Sequence, residues 1–222
     1  MTSITPKDVE KAIYIDFEGN VDKPPTLLGA LYVDSTTKRD VFIQYVHEEI
    51  FYSAGEAKED CTNASIEEAF TSLTEIARRD DRLFFAWSTH EKEIAEEFLK
   101  NRRLKTFVVE RIIDCKKIAR RWKNRFHRDV EFPRVIGQGR HRLYEYMKLI
   151  GYPVPPNAGP GNTGKRLRDI RGQLIKKDGS YEKLTGVAKG KWTKLLSHNR
   201  HDCTGMREVS LRAMGRLGSF RP

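Results

Sequence analysis

The sequence predicts an α/β fold: a mixed sheet of three antiparallel strands followed by parallel strands, flanked by helices. Three observations point there. The strand-like runs "IYIDFEGN" (Ile13 to Asn20), "TLLGALYV" and "DVFIQYV" follow one another early, with "DSTTKR" supplying a turn between the last two, as in an antiparallel meander. Downstream, strand-like runs alternate with amphipathic ones, which favours parallel strands joined by helices. At 222 residues, 38% of them hydrophobic, the chain is long enough for one sizeable domain with its own core.

The first run sets the pattern. Ile13, Ile15 and Phe17 alternate with Tyr14, Asp16 and Glu18, the period of a half-buried strand. After the other two strands, "SIEEAFTSLTEIARR" reads as an amphipathic helix. Ser65 and Glu68 make its capping box, and Ala69, Phe70, Leu73, Ile76 and Ala77 its buried stripe. "RLFFAW" is a short buried strand, "EKEIAEEFLKN" a helix, "TFVVERIID" a strand and "CKKIARRWKNRF" a basic helix. "HRLYEYMKLIG" is helical, with Gly151 as its C-cap. The Pro- and Gly-rich "YPVPPNAGPGNTG" must be a loop, and "KKDGSYEKLTGVAKGKW" is a small hairpin or a basic loop. One domain over 1–222 is expected, with an irregular basic insertion at about 152–191. The last helix, from about Trp192 to Leu217, carries Leu196, Cys203, Met206 and Ala213 on a core-facing stripe with a polar notch at Asn199.

Charge divides the chain. Residues 1–115 hold 15 Lys/Arg and 23 Asp/Glu, whereas residues 116–222 hold 26 and 8. The stretch 116–142 has ten basic and two acidic residues, and 165–194 has ten and three. Such basic faces are most often footprints for a polyanion, usually nucleic acid. Three widely spaced cysteines, Cys61, Cys115 and Cys203, match neither a zinc spacing nor a disulfide framework, so a reduced, cytoplasmic protein is expected. The N-terminus lacks the apolar region of a secretory signal, and no run approaches the roughly 18 apolar residues of a membrane span.

One acidic pair and one His–Asp pair stand out. Asp16 and Glu18, two apart on a strand, point the same way about 6.5 Å apart along it, with no opposite charge between them. A divalent cation would turn that repulsion into binding. On the last helix His198 and Asp202 are four apart and share one surface, while His201 is rotated by about 100° from Asp202.

Together these residues resemble a known pattern. An early strand with D-x-E, a carboxylate at a central strand–helix junction, and a late helix with (Tyr/His)-x-x-x-Asp are similar to the motifs of the DEDD superfamily of 3′–5′ exonucleases, on the ribonuclease H-like fold. Here they are "YIDFEG", "FFAWSTHEKEI" and "LSHNRHDC". Within that group the chain most resembles nucleases described as predicted RecB-family. "HRLYEYMKLIGYPVP" is similar to the helix such enzymes carry before the last motif. The resemblance spans about residues 12–210. Three departures are visible: Glu91 stands where the superfamily usually has Asp, His198 takes the spacing of the Tyr-type enzymes, and 159–192 is longer than the pattern.

What the resemblance implies is two-metal phosphodiester hydrolysis. Asp16, Glu18 and Asp202 would hold two Mg²⁺ or Mn²⁺ ions, the choice that oxygen ligands favour. Glu91 would complete the catalytic set and His198 would take or orient the proton of the attacking water. The partner would be DNA or RNA, at a single-stranded end, held by Lys165, Arg166, Lys176 and Lys177 of the second basic stretch. Two rival readings are a nucleic-acid-binding module with a decayed site and a structure-selective endonuclease.

Other features carry less. "GPGNTGK" (159–165) fits a phosphate-loop pattern, but Arg166 replaces its Ser/Thr and no apolar strand precedes it. Asp114 reads as a helix cap, Trp122 and Trp192 as core anchors, and His47, His127 and His141 as ordinary surface or loop residues.

Overall fold

A computed structural model describes residues 3–19, 24–134, 140–155 and 163–221. A short helix α1 (Pro6–Lys11), capped by Thr5, leads into β1 (Ile13–Glu18), β2 (Leu27–Val33) and β3 (Asp40–Val46). Then come α2 (Tyr52–Glu56), β4 (Cys61–Asn63), α3 (Ile66–Asp80), β5 (Phe84–Ala86) and α4 (His90–Phe98). The chain continues with α5 (Arg102–Arg111), β6 (Ile112–Asp114), α6 (Cys115–Phe126), α7 (Leu143–Leu149), α8 (Thr163–Ile175) and α9 (Gly186–Leu217).

The six strands among the described residues form one mixed sheet in the order β4-β3-β2-β1-β5-β6. β1, β2 and β3 pair antiparallel, as the meander predicts, and β5 and β6 add parallel beyond β1. β4 adds parallel to β3 at the far edge, which the sequence reading did not anticipate. No helix among the described residues is long and apolar enough to cross a membrane.

Strand alternation sorts the side chains of β1 between two layers. Ile13, Ile15 and Phe17 pack with Phe70, Leu73 and Ala95 of α3 and α4. Tyr14 faces the other way, with Phe85 of β5 and with Ile118, Tyr146, Cys203 and Met206 of the α6–α7–α9 layer. Asp16 and Glu18 share the parity of Tyr14, so β1 aims both carboxylates at the layer containing α9. Beside them the first half of α9 and α8 close a third apolar group around Leu27, Phe51, Leu174 and Trp192.

Two expected segments differ. "TFVVERIID" is not one strand: Asn101 accepts from the main-chain N–H groups of Arg103 (3.0 Å) and Leu104 (3.1 Å) and starts α5, leaving only Ile112–Asp114 as β6. Leu104 and Val108, four apart and buried, are a helical stripe that the β-branched run disguised.

The second correction concerns the insertion at 152–191, which is not irregular throughout. Leu167, Ile170, Arg171 and Leu174 form the buried face of α8, and Thr185 caps α9 at Gly186, six residues before the expected start. No hairpin of strands forms over residues 176–192, all of them described. Arg171 is buried because both its Nε and a terminal nitrogen donate to the Glu48 carboxylate at 2.6 Å. Residues 156–162, with most of the phosphate-loop look-alike, lie outside the described residues.

Candidate functional site

The middle of α9 crosses the sheet over one row of partners, Asp16, Gly29 and Gln44 on β1, β2 and β3. The Asn199 side chain fills the notch above them. Its Nδ2 donates to the main-chain oxygen and to Oδ2 of Asp16, both at 2.9 Å, and its Oδ1 accepts from Gln44 Nε2 at 2.9 Å. Gln44 also donates to the Leu196 carbonyl at 3.1 Å, so both amide nitrogens of this buried pair and the Asn199 oxygen are engaged. Gly29 is what lets the helix approach: a Cβ there would stand 2.1 Å from Asn199 Oδ1.

With α9 seated so, its acidic flank lies against the end of β1. His198 Nε2 stands 3.8 Å from Glu18 Oε1 and 3.4 Å from Asp202 Oδ2. One donor atom from each of Glu18, His198 and Asp202 lies within 4.8 Å of the others. Asp16 is not part of that tight trio; its Oδ2 is turned to Asn199. Glu91, in the first turn of α4, is 4% exposed and accepts from Ser88 Oγ at 3.2 Å. Ser88 Oγ also accepts from the His90 main-chain N–H at 3.2 Å, so Ser88 and Glu91 meet at the start of α4, where the N-cap Thr89 makes no side-chain cap bond of its own.

The electrostatics are those of crowded, buried carboxylates. Burial, then the charge of Asp202, raise Asp16 well above the usual carboxylate range, against the bond from Asn199. Burial, then Asp16 and Asp202, do the same to Glu18, with Arg166 opposing. Burial pushes Asp202 up to about 7, and burial with Asp16 pushes Glu91 up to about 8. His198 moves down to about 4, through burial first and then Arg166 and His201, so its ring is neutral at pH 7. Its contacts with Glu18 and Asp202 are therefore not ion pairs there. Four acids gathered from three distant parts of the chain raise one another's cost of ionisation, the situation that a hard cation relieves.

No family model, curated protein or solved structure matches this chain.

The remaining sequence candidates are divided. His201 is turned away, its ring 5.2 Å from that of Tyr152. Arg166, near the start of α8, is close enough to act on both Glu18 and His198, whereas neighbouring Lys165 is exposed. Lys176 and Lys177 lie in the exposed turn after α8, about 15 Å further along the helix axis at 1.5 Å per residue. They are not brought to the carboxylates. Asp114 caps α6 by accepting from Lys117 N, and Trp122 and Trp192 are buried in the core, as expected of them. A cavity of about 850 Å³ lined by His47, Ile66, Glu67 and Phe98 adjoins the α3–α4 layer, across the sheet from the acids.

Sequence reasoning missed Gly29 and Gln44. A glycine inside an apolar strand is a signal for close backbone approach, and a glutamine on the buried face of β3 signals a buried partner. Neither names that partner.

Proposed function

We propose that the chain is a metal-dependent nuclease, a 3′–5′ exonuclease of the DEDD kind acting on single-stranded nucleic-acid ends. The observation that carries this reading is the gathering of Asp16, Glu18, Glu91 and Asp202, with His198 between Glu18 and Asp202, at one end of the central strand. The mixed sheet, antiparallel and then parallel outward from β1, is compatible with the ribonuclease H-like arrangement those motifs imply.

The donor set fits Mg²⁺ or Mn²⁺: carboxylate oxygens predominate and no thiolate joins them, Cys203 being a buried neutral thiol nearby. Glu18 and Asp202, with Asp16 once its free oxygen is used, would hold the ions. Such ions, when bound, would lower the pKa of a water to give a nucleophile at neutral pH and would offset the charge on the leaving 3′-oxygen. Asn199 fixes the Asp16 carboxylate in place. Neutral His198, facing Glu18 and Asp202, is suited to accept a proton from an attacking water. Arg166 adds positive charge where a phosphodiester would sit.

The test is digestion in Mn²⁺ of 5′-labelled linear single strands, duplexes and closed circles of DNA and RNA. Stepwise shortening of a linear strand with the circle spared is expected. Cutting of the circle would make it an endonuclease, and binding without cutting would make it the decayed module.

A further inference from the structure

The two basic stretches are not equivalent in the fold. In the second, three cations are spent on the protein itself: Arg171 on Glu48, Lys189 on Glu182 and Lys191 on Asp169. In the first, Arg142 is paired with Glu145, but no Lys or Arg of α6 has a carboxylate partner among the described residues. Lys116, Arg120 and Lys123 recur at spacings of four and three, so they form one stripe along the helix. That stripe lies off the buried face made by Ile118, Ala119 and Trp122.

The stripe connects to the acidic site through a chain of contacts. Lys123 Nζ sits 5.6 Å from the Phe132 ring, which lies 4.8 Å from that of Tyr146 and 6.2 Å from that of His141. Tyr146 meets Trp87 edge-on at 5.3 Å, and Trp87 Nε1 donates to the His141 carbonyl at 3.3 Å. Trp87 belongs to the β5–α4 connection, next to the Ser88 that bonds Glu91. The combined charge of Arg120, Lys123, Lys116 and Arg140 is felt at His141 and, after burial, holds its pKa below the ordinary histidine value. Half-buried Trp87 thus stands between four cations and the carboxylates.

We infer that the Lys116–Arg120–Lys123 stripe, with Arg140, is the track that grips the sugar-phosphate backbone of the strand being processed. The inference rests on the nuclease reading and replaces the Lys176–Lys177 region as its main contact surface. Lys and Arg on a helix face without their own acids match a polyanion by charge, and flexible cations position a backbone without reading its bases. Half-buried Trp87, packed on Tyr146 between the track and Ser88, is the aromatic ring there on which a base would stack.

The test is fluorescence anisotropy of a labelled 20-nucleotide single strand with the full chain in EDTA, so that nothing is cut. Three proteins are compared: the natural sequence, Lys116→Ala/Arg120→Ala/Lys123→Ala, and Lys176→Ala/Lys177→Ala. Loss of three phosphate contacts should lower the slope of log K against log salt by about 2, and affinity at 0.1 M salt by about 100-fold. The Lys176/Lys177 variant should bind within about threefold of the natural sequence. Unchanged circular-dichroism melting keeps loss of folding apart from loss of binding. If the natural chain binds and the triple variant matches it in slope and affinity, the track is overturned while the nuclease reading stands. If the natural chain binds no strand, both fall.

Discussion

Asn199 and Asp16, 183 residues apart in sequence, are joined by two 2.9 Å hydrogen bonds from one side-chain amide. The pair ties the helix that bears His198 and Asp202 to the strand that bears Glu18. It exists only because Gly29 leaves room for it. Gly29→Ala should therefore cost about 1–3 kcal/mol in urea unfolding, as overpacking in a close-packed core does. In an Asn199→Ala background the same change should cost less by at least about 0.5 kcal/mol, because the clashing atom is gone. Equal costs in the two backgrounds would show that the approach of α9 is set elsewhere.

A second expectation concerns pH. Glu91, raised to about 8, and Asp202, raised to about 7, hold protons in the folded chain that the unfolded chain releases near pH 4. Their stabilising effect is complete below that value and is lost as pH rises through the folded pKa values. His198, lowered to about 4, acts oppositely, since its stabilisation grows from about pH 4 to its ordinary value near 6.5 and then stops. Between pH 6.5 and 8.5 the metal-free protein should thus lose stability, and Glu91→Gln should flatten that loss. A thermal-melting series with and without EDTA reads it directly. A flat profile for the natural sequence would mean that the carboxylates are not crowded.

Divalent ions should reverse the same loss. At pH 8, Mn²⁺ at about 100 times its dissociation constant should add about 2.7 kcal/mol. Melting temperature followed against Mn²⁺ concentration should rise for the natural chain and stay level for Glu18→Gln/Asp202→Asn. A rise of the same size in both proteins would place the ion elsewhere.

His198 and His201 should separate cleanly. His198→Ala removes the ring facing Glu18 and Asp202, and turnover should fall roughly 10²–10⁴-fold, the range for a general base. His201→Ala removes only a ring packed on Tyr152 and should leave turnover within about threefold. The reverse ranking, measured by single-turnover cleavage, would mean that the helix presents its other flank to the substrate.

What was legible in the sequence was local. The alternation through Ile13, Ile15 and Phe17 places β1, and the four-residue spacing of His198 and Asp202 puts them on one surface. The Ser65–Glu68 capping box forms as read, each residue bonding the other's main-chain N–H. Long-range partnerships were hidden. Arg171 breaks the apolar stripe of α8, and it is admissible in a buried face only because of Glu48, 123 residues away. Without that partner in view, the stretch reads as an irregular insertion. Asn199 was visible as a polar interruption, but its partners Asp16 and Gln44 come from strands at the other end of the chain. β4 is three residues long, too short to leave a period of its own.

The central claim is that the acids at the end of β1 and on α9 hydrolyse phosphodiester bonds with divalent ions. Its most direct measurement is the rate of shortening of a labelled single strand in Mn²⁺ by the natural chain and by Asp202→Asn, prepared identically. Cleavage by the natural chain, abolished by EDTA and reduced at least about 10³-fold in Asp202→Asn, is the predicted result. Equal cleavage by the two proteins, or none by the natural chain on any DNA or RNA strand, would contradict it.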